Sequence, residues 1–213
     1  MTADDRDSDR GRGRGLGRAV RNEDRKAEIV WAALEVIAER GYRGASLAAV
    51  AERVGLTQQG LLHYFPTKEA LLVAVLEVRD RWDMASAALH GTAWPMEMVA
   101  DLVEYNATRP GVVQVFTVLA GDSVTGGHPA REYFRDRYTR VRRWAADSLR
   151  AEYGDTLPGG LTPEQAAPLL VVVMDGLQLQ WLHDPGAVDM PAVFRHFVTL
   201  LDPGRGDGEP AGT

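Results

Sequence analysis

GYRGASLAAVAERVGLTQQGLLHYFPTKEALLVAVL, residues 41–76, is the stretch around which the rest of this 213-residue chain can be read. Leu47, Val50, Ala51 and Val54 recur at helical spacing behind Ser46. The Ser46 hydroxyl can accept a hydrogen bond from an otherwise unpaired backbone N–H of the first turn, so the spacing predicts a short helix opened by Ser46. Gly55 follows Val54 directly, and a glycine can take the left-handed conformation that stops one helix and lets another begin almost at once. Thr57 then caps a second helix with Leu61 and Phe65 on its apolar edge, and Pro66 ends it. Ala51, Gly55 and Leu61 stand where a helix-turn-helix needs a small residue at the helix crossing, a turn glycine and an apolar anchor.

The face opposite that anchor carries Thr57, Gln58, Gln59, Gly60 and His63. Glutamine amides can pair bidentately with an adenine edge in the major groove, and hydroxyl and imidazole groups can hold phosphates. The plain alternative is a solvated face on an ordinary helical hairpin. Too many independent constraints agree for that to be the better reading.

From Arg25 to Glu77 the chain resembles the DNA-binding domain of the TetR (tetracycline repressor) family of bacterial transcription regulators. The resemblance rests on the apolar first helix, the Gly41-Tyr42 pair, Gly55-Leu56, and the run Leu61 to Leu72 with its Phe-Pro-Thr-Lys-Glu-Ala-Leu-Leu. It implies that Lys68, at the start of a fourth helix, touches a phosphate. The family usually has a tyrosine where this chain has Leu62, and often Tyr-His where this chain has His63-Tyr64. His63 and Tyr64 are then the expected substitutes for that phosphate contact. The expected DNA-facing set is Ser46, Thr57, Gln58, Gln59, Gly60, His63, Tyr64 and Lys68.

The net charge of -6 looks wrong for such a role until it is divided along the chain. Residues 10–68 carry eleven Lys and Arg against six Asp and Glu, a local charge of +5, while the remainder is acidic. The positive charge lies on and around the helix-turn-helix, as phosphate binding requires. With 45% hydrophobic residues the chain has ample material for a buried core. It has no cysteine, which removes disulfides, thiol nucleophiles and thiolate zinc sites and fits a reducing cytoplasm. No apolar signal region opens the chain and no run approaches bilayer length, so a cytoplasmic protein without membrane contact is expected.

Residues 1–21 combine an acidic tip with a glycine-arginine run that buries too little apolar surface to fold alone, and they are read as a flexible arm. Arginines on such an arm could enter a minor groove, against the plainer reading of a solubilising tail. Residues 22–68 form the DNA-binding domain: Ile29, Val30, Ala33, Leu34, Ile37 and Ala38 make a helical stripe that Gly41 ends. Residues 69–203 are expected to be a helical ligand-binding and dimerisation domain, entered by a long helix reaching towards Leu89, with 204–213 a disordered tail. Val112 to Leu119 is ambiguous between strand and buried helix, and its surroundings favour helix. The predicted fold class is all-α.

Thr162-Pro163-Glu164 and Asp189-Met190-Pro191 open the last two helices. Leu169 to Met174 is apolar on nearly every face, more than one surface helix needs. In proteins similar to this one, the last two helices of each subunit build a four-helix bundle across a twofold axis. Leu169, Val172, Val173, Phe194 and Phe197 are therefore the expected homodimer face.

Between these lies the expected sensing region. Trp82, Tyr105, Phe116, Trp144 and Met174 are candidates for a pocket, although a bundle of this size needs large side chains merely to pack. Gln114 and Gln178 stand inside apolar helix faces and require partners, from the protein or from a ligand.

Enzyme readings fare poorly. The five histidines show no metal-ligand spacing, no serine lies in a nucleophile elbow, and no cofactor or metal is announced. The expected function is a sequence-specific transcription regulator, a repressor released from a palindromic double-stranded operator by an apolar or amphipathic small molecule. The alternative from another class is a helical ligand-binding protein or bundle enzyme with a minor or lost DNA role.

Overall fold

The computed structural model describes the backbone of residues 4–88 and 93–202 and the side chains of residues 22–82 and 93–202. Among these residues the regular structure is helical: α1 (Asp4–Gly44), α2 (Leu47–Arg53), α3 (Gln58–Tyr64), α4 (Lys68–Ala88), α5 (Met96–Ala107), α6 (Pro110–Asp122), α7 (Arg131–Tyr153), α8 (Pro163–His183) and α9 (Met190–Leu201). The ambiguous stretch 112–119 lies inside α6. None of these helices is long and apolar enough to cross a membrane.

The chain divides into two compact units, Met1–Val75 and Leu76–Thr213. Leu71, Leu72 and Val75 are buried, so the opening of α4 clusters with the first unit.

In the first unit, α1 packs on α2 and α2 on α3. Ile29, Ile37, Val50, Ala51 and Leu61 are buried to within 1% of completely, which is the small core the helical spacing predicted. Gly41 has φ 67° and interrupts the helical path inside α1, the break expected of it. Cross-links bind the hairpin to α1: Arg25 Nη2 donates to the Val54 carbonyl at 2.7 Å, and Arg53 reaches Glu35 at 3.1 Å and Glu39 at 2.5 Å. Helix α1 begins at Asp4, through the stretch read as a flexible arm. The side chains of residues 1–21, and with them the minor-groove arginines, lie outside the described residues, as does the tail at 204–213.

In the second unit, α7 lies along α8, α5 packs on α9, and α8 also meets α6 and α9. The core gathers Met96, Val99, Val103, Leu149, Leu170, Met190 and Phe194. Thr162 opens α8 with a reciprocal capping box, accepting from Gln165 N while the Gln165 side chain accepts from Thr162 N. Asp189 caps α9 by accepting from Ala192 N at 3.0 Å. The start of α5 is solved differently. Its N-cap is Pro95, which has no side-chain acceptor, so the Met96 N–H is taken by the Glu152 carboxylate of α7 at 2.6 Å. The neighbouring Trp94 N–H donates to Ser148 Oγ at 2.9 Å.

Candidate DNA interface and effector cavity

Helix α3, the candidate DNA-facing helix, is built by its caps and its anchor. Ser46 accepts from Ala49 N at 3.1 Å and Thr57 from Gly60 N at 3.0 Å, each in extended conformation, as N-caps. Gly55 takes φ 66° between them, and Leu56 N closes the turn on the Ala51 carbonyl at 2.8 Å. Leu61 is fully buried, and this fixes the outward face: Gln58, Gln59 and His63 are exposed, with Gly60 and Tyr64 half-buried beside them. The Ser46 and Thr57 oxygens are committed as acceptors, which leaves each hydroxyl its O–H to give to a phosphate. A Cβ on Gly60 would stand 3.3 Å from Thr57 Oγ1, so even alanine there presses on the cap. The His63 and Tyr64 rings meet edge to face at 5.6 Å.

Lys68 opens α4 as expected. Its ammonium donates to the Tyr42 carbonyl at 3.2 Å and lies 4.6 Å from the centre of the Tyr42 ring. Burial lowers its pKa against the opposing pull of Glu69. The Gly41-Tyr42 pair and Lys68 therefore form one local structure.

The second unit contains a cavity of about 100 Å³. One wall is apolar, with Trp94, Leu102, Val141, Trp144, Val171 and Met174; the Trp94 and Trp144 rings meet edge to face at 5.5 Å. The other wall is polar, with Arg79, Asp80, Asn106, Arg137, Asp175 and Gln178. Asp80 holds the centre: its carboxylate accepts from Arg137 Nε at 3.2 Å and from the Tyr133 hydroxyl at 2.9 Å. Arg79 donates to Asn106 Oδ1 at 3.1 Å, and the Tyr138 hydroxyl donates to Asp175 Oδ2 at 2.6 Å. Burial raises the Asp175 pKa, against the Tyr138 hydrogen bond and the two arginines, which lower it. Burial likewise raises both tyrosine pKa values, the nearby carboxylates adding to it.

Of the residues expected to contact a ligand, Trp144, Met174 and Gln178 line this cavity. Trp82 and Tyr105 do not. They are 43% and 51% exposed and border an open groove with Met98 and Arg109, because an aromatic at helical spacing on α4 or α5 can face either side. Phe116 is buried beneath the arginines, its ring centre 4.5 Å from the Arg137 guanidinium and 5.6 Å from that of Arg79. Gln114 is half-buried and outside the lining. The ionised wall of Arg79, Asp80, Arg137 and Asp175 escaped the sequence reading, although an aspartate at 175 inside the apolar run of α8 was a signal that could have found it.

The expected dimer face also divides. Leu169 and Val172 are 50% and 66% exposed, while Val173 and Phe197 are half-buried against the core. Phe194 is fully buried within its own chain and leaves the candidate set. Further exposed apolar residues on the same helices are Leu179 on α8, and Val193 and Leu200 on α9.

Comparison with known proteins agrees with both units. Residues 29–75 match the family described as bacterial regulatory proteins, tetR family, and residues 93–203 match the BetI-type transcriptional repressor C-terminal family. The HTH-type transcriptional regulator BetI 1 of Chromohalobacter salexigens is 30% identical over 175 residues, covering 78% of this chain and 83% of its own. RutR of Escherichia coli K12 is 42% identical over 114 residues, 48% of this chain and 54% of its own. A solved regulator from Saccharomonospora viridis, in complex with choline, shares the fold at TM-score 0.66 and 21% identity, covering 85% of this chain and 97% of that one. With a helix-turn-helix of this geometry and a BetI-type C-terminal half in one polypeptide, the chain belongs to the TetR family of bacterial transcriptional regulators.

Proposed function

We propose that this regulator is a homodimeric repressor that leaves a palindromic operator when a small amphipathic molecule enters the cavity between α4, α5, α7 and α8. The observation that carries the DNA half is the outward set Gln58, Gln59 and His63, held in place by a completely buried Leu61. Two such helices in a twofold dimer read half-sites about one helical turn apart.

Support for the dimer comes from the exposed stripe Leu169, Val172 and Leu179 on α8, with Val193 and Leu200 on α9. These residues recur at three and seven positions, so each helix leaves one apolar face towards solvent. Support for the effector comes from the cavity's two-sided lining, which suits a ligand with both apolar and polar surface. The choline held by the Saccharomonospora viridis regulator is of that kind. Helix α4 supplies Lys68 to the first unit and Arg79 and Asp80 to the cavity wall. A ligand that prefers the non-binding state by roughly 1–3 kcal/mol weakens operator binding about 5- to 150-fold, and operator DNA weakens ligand binding by the same factor.

Selection of bound duplexes from a random library tests the reading. The expected product is an imperfect palindrome whose affinity falls steeply with salt. A single unpaired half-site, or a chain that sediments as a monomer at micromolar concentration, overturns the dimeric arrangement.

A further inference from the structure

Trp94 and Gln178 both line the cavity, and each carries a buried polar atom, Nε1 and Oε1, with no hydrogen-bond partner among the described residues. Both side chains are 6% exposed. One is a donor and the other an acceptor, and they belong to different helical regions, the approach to α5 and the last third of α8. A buried polar group left unpaired is costly, and its persistence in a cavity wall points to a partner arriving from within the cavity. The two carboxylates beside them are already engaged: Asp80 with Arg137 and Tyr133, and Asp175 with Tyr138.

We infer that the effector is a compact molecule carrying both a hydrogen-bond acceptor, received by Trp94 Nε1–H, and a hydrogen-bond donor, given to Gln178 Oε1, in the form of a hydroxyl or an amide. This rests on the cavity being the effector site and narrows the ligand class for it. A cavity of about 100 Å³ suits a compact ligand, and a molecule with apolar surface alone leaves both groups unsatisfied. Trp94 and Gln178 thereby act as specificity-determining residues, while Trp144 and Met174 supply the apolar contact that tolerates variation in the rest of the ligand.

The test uses the full chain and two matched pairs of probes by titration calorimetry. Choline is compared with ethyltrimethylammonium, which lacks the hydroxyl, and 2-piperidone with cyclohexanone, which keeps the acceptor but lacks the N–H donor. The expected result is that the donor-bearing member of at least one pair binds roughly tenfold or more tightly than its partner. Whichever pair binds tells whether the effector is cationic or neutral. Gln178→Leu removes the acceptor and Trp94→Phe removes the indole N–H while keeping an aromatic ring. For the lactam pair Gln178→Leu is expected to bind both members alike and Trp94→Phe to lose affinity for both; for the choline pair, whose hydroxyl is donor and acceptor together, each substitution is expected to weaken choline and leave ethyltrimethylammonium unchanged. Gln178→Leu should also raise the unfolding midpoint of the unliganded chain, since it removes an unpaired buried acceptor.

Failure of every probe to bind overturns the inference, as does equal binding within both pairs by the unaltered chain. Discrimination that persists in Gln178→Leu, together with unchanged affinities in Trp94→Phe, does the same. Operator selection is scored with no probe present. A chain that binds a palindrome yet ignores all four probes refutes this inference alone, and a chain that discriminates between probes but binds no DNA refutes the regulator reading alone.

Discussion

The two units are held by contacts of different reach. In the helix-turn-helix the decisive bonds are local: Ser46 and Thr57 each accept from the N–H three residues ahead, and Gly55 turns the chain between them. In the second unit they are distant. Arg137 and Tyr133 meet Asp80 across 57 and 53 residues, Tyr138 meets Asp175 across 37, and Glu152 meets the Met96 N–H across 56. A cap adds to a helix that its own spacing already favours. A partly buried ionic cluster, by contrast, makes several helices depend on one another, because any member removed leaves another half-buried polar or charged group without its partner.

The largest expected effect breaks that dependence. Asp80→Ala leaves Arg137 facing the cavity without its carboxylate, and we expect a loss of about 2–3 kcal/mol in urea unfolding, between that of an exposed and a fully buried pair and concentrated in the second unit. If the loss is no larger than that of a single cap, the cluster is not what distinguishes the units.

On the DNA side, Gln58→Ala and Gln59→Ala should relax base preference at particular operator positions by about 1–3 kcal/mol, measured by binding to single-base operator variants. Lys68→Ala should weaken binding to all sequences alike and reduce the salt slope by about 1. Equal behaviour of the glutamine and lysine variants would erase the division between reading and positioning residues.

Next in size is the cap. Ser46→Ala should cost about 1 kcal/mol in the first unit, followed by thermal unfolding, with no change in ligand affinity. A larger effect would mean that the hairpin depends on contacts beyond its own turns.

The smallest effect is a pH dependence. Asp175 has a folded-state pKa raised by burial above its ordinary value of 3.8. The folded state therefore holds that proton more tightly than the unfolded state, so protonation adds stability that is fully present below the unfolded pKa and is lost as pH rises through the folded one. Asp175→Asn keeps an acceptor for Tyr138 but cannot titrate. Relative to that variant, the unaltered chain should gain stability as pH falls from neutral towards 4, and a gain in the opposite direction would show that the arginines outweigh burial.

Much of this protein follows from the order of residues alone. Ser46, Gly55 and Thr57 act on neighbours within four positions, so their spacing specifies two caps and a turn whatever surrounds them. The apolar repeat that buries Leu61 equally specifies which side of α3 carries Gln58, Gln59 and His63. Thr162 and Asp189 mark the openings of α8 and α9 for the same reason.

The tertiary structure alone decided the rest. Phe194 and Val172 lie on apolar helices of similar pattern, yet one is fully buried and the other 66% exposed. Trp144 lines the cavity while Trp82 faces an open groove. Helical spacing tells which residues share a face but not what that face meets. The meeting of Asp80 with Arg137, and the gathering of Trp94 and Gln178 around one cavity, depend on how α4, α5, α7 and α8 pack, and no local spacing encodes that packing.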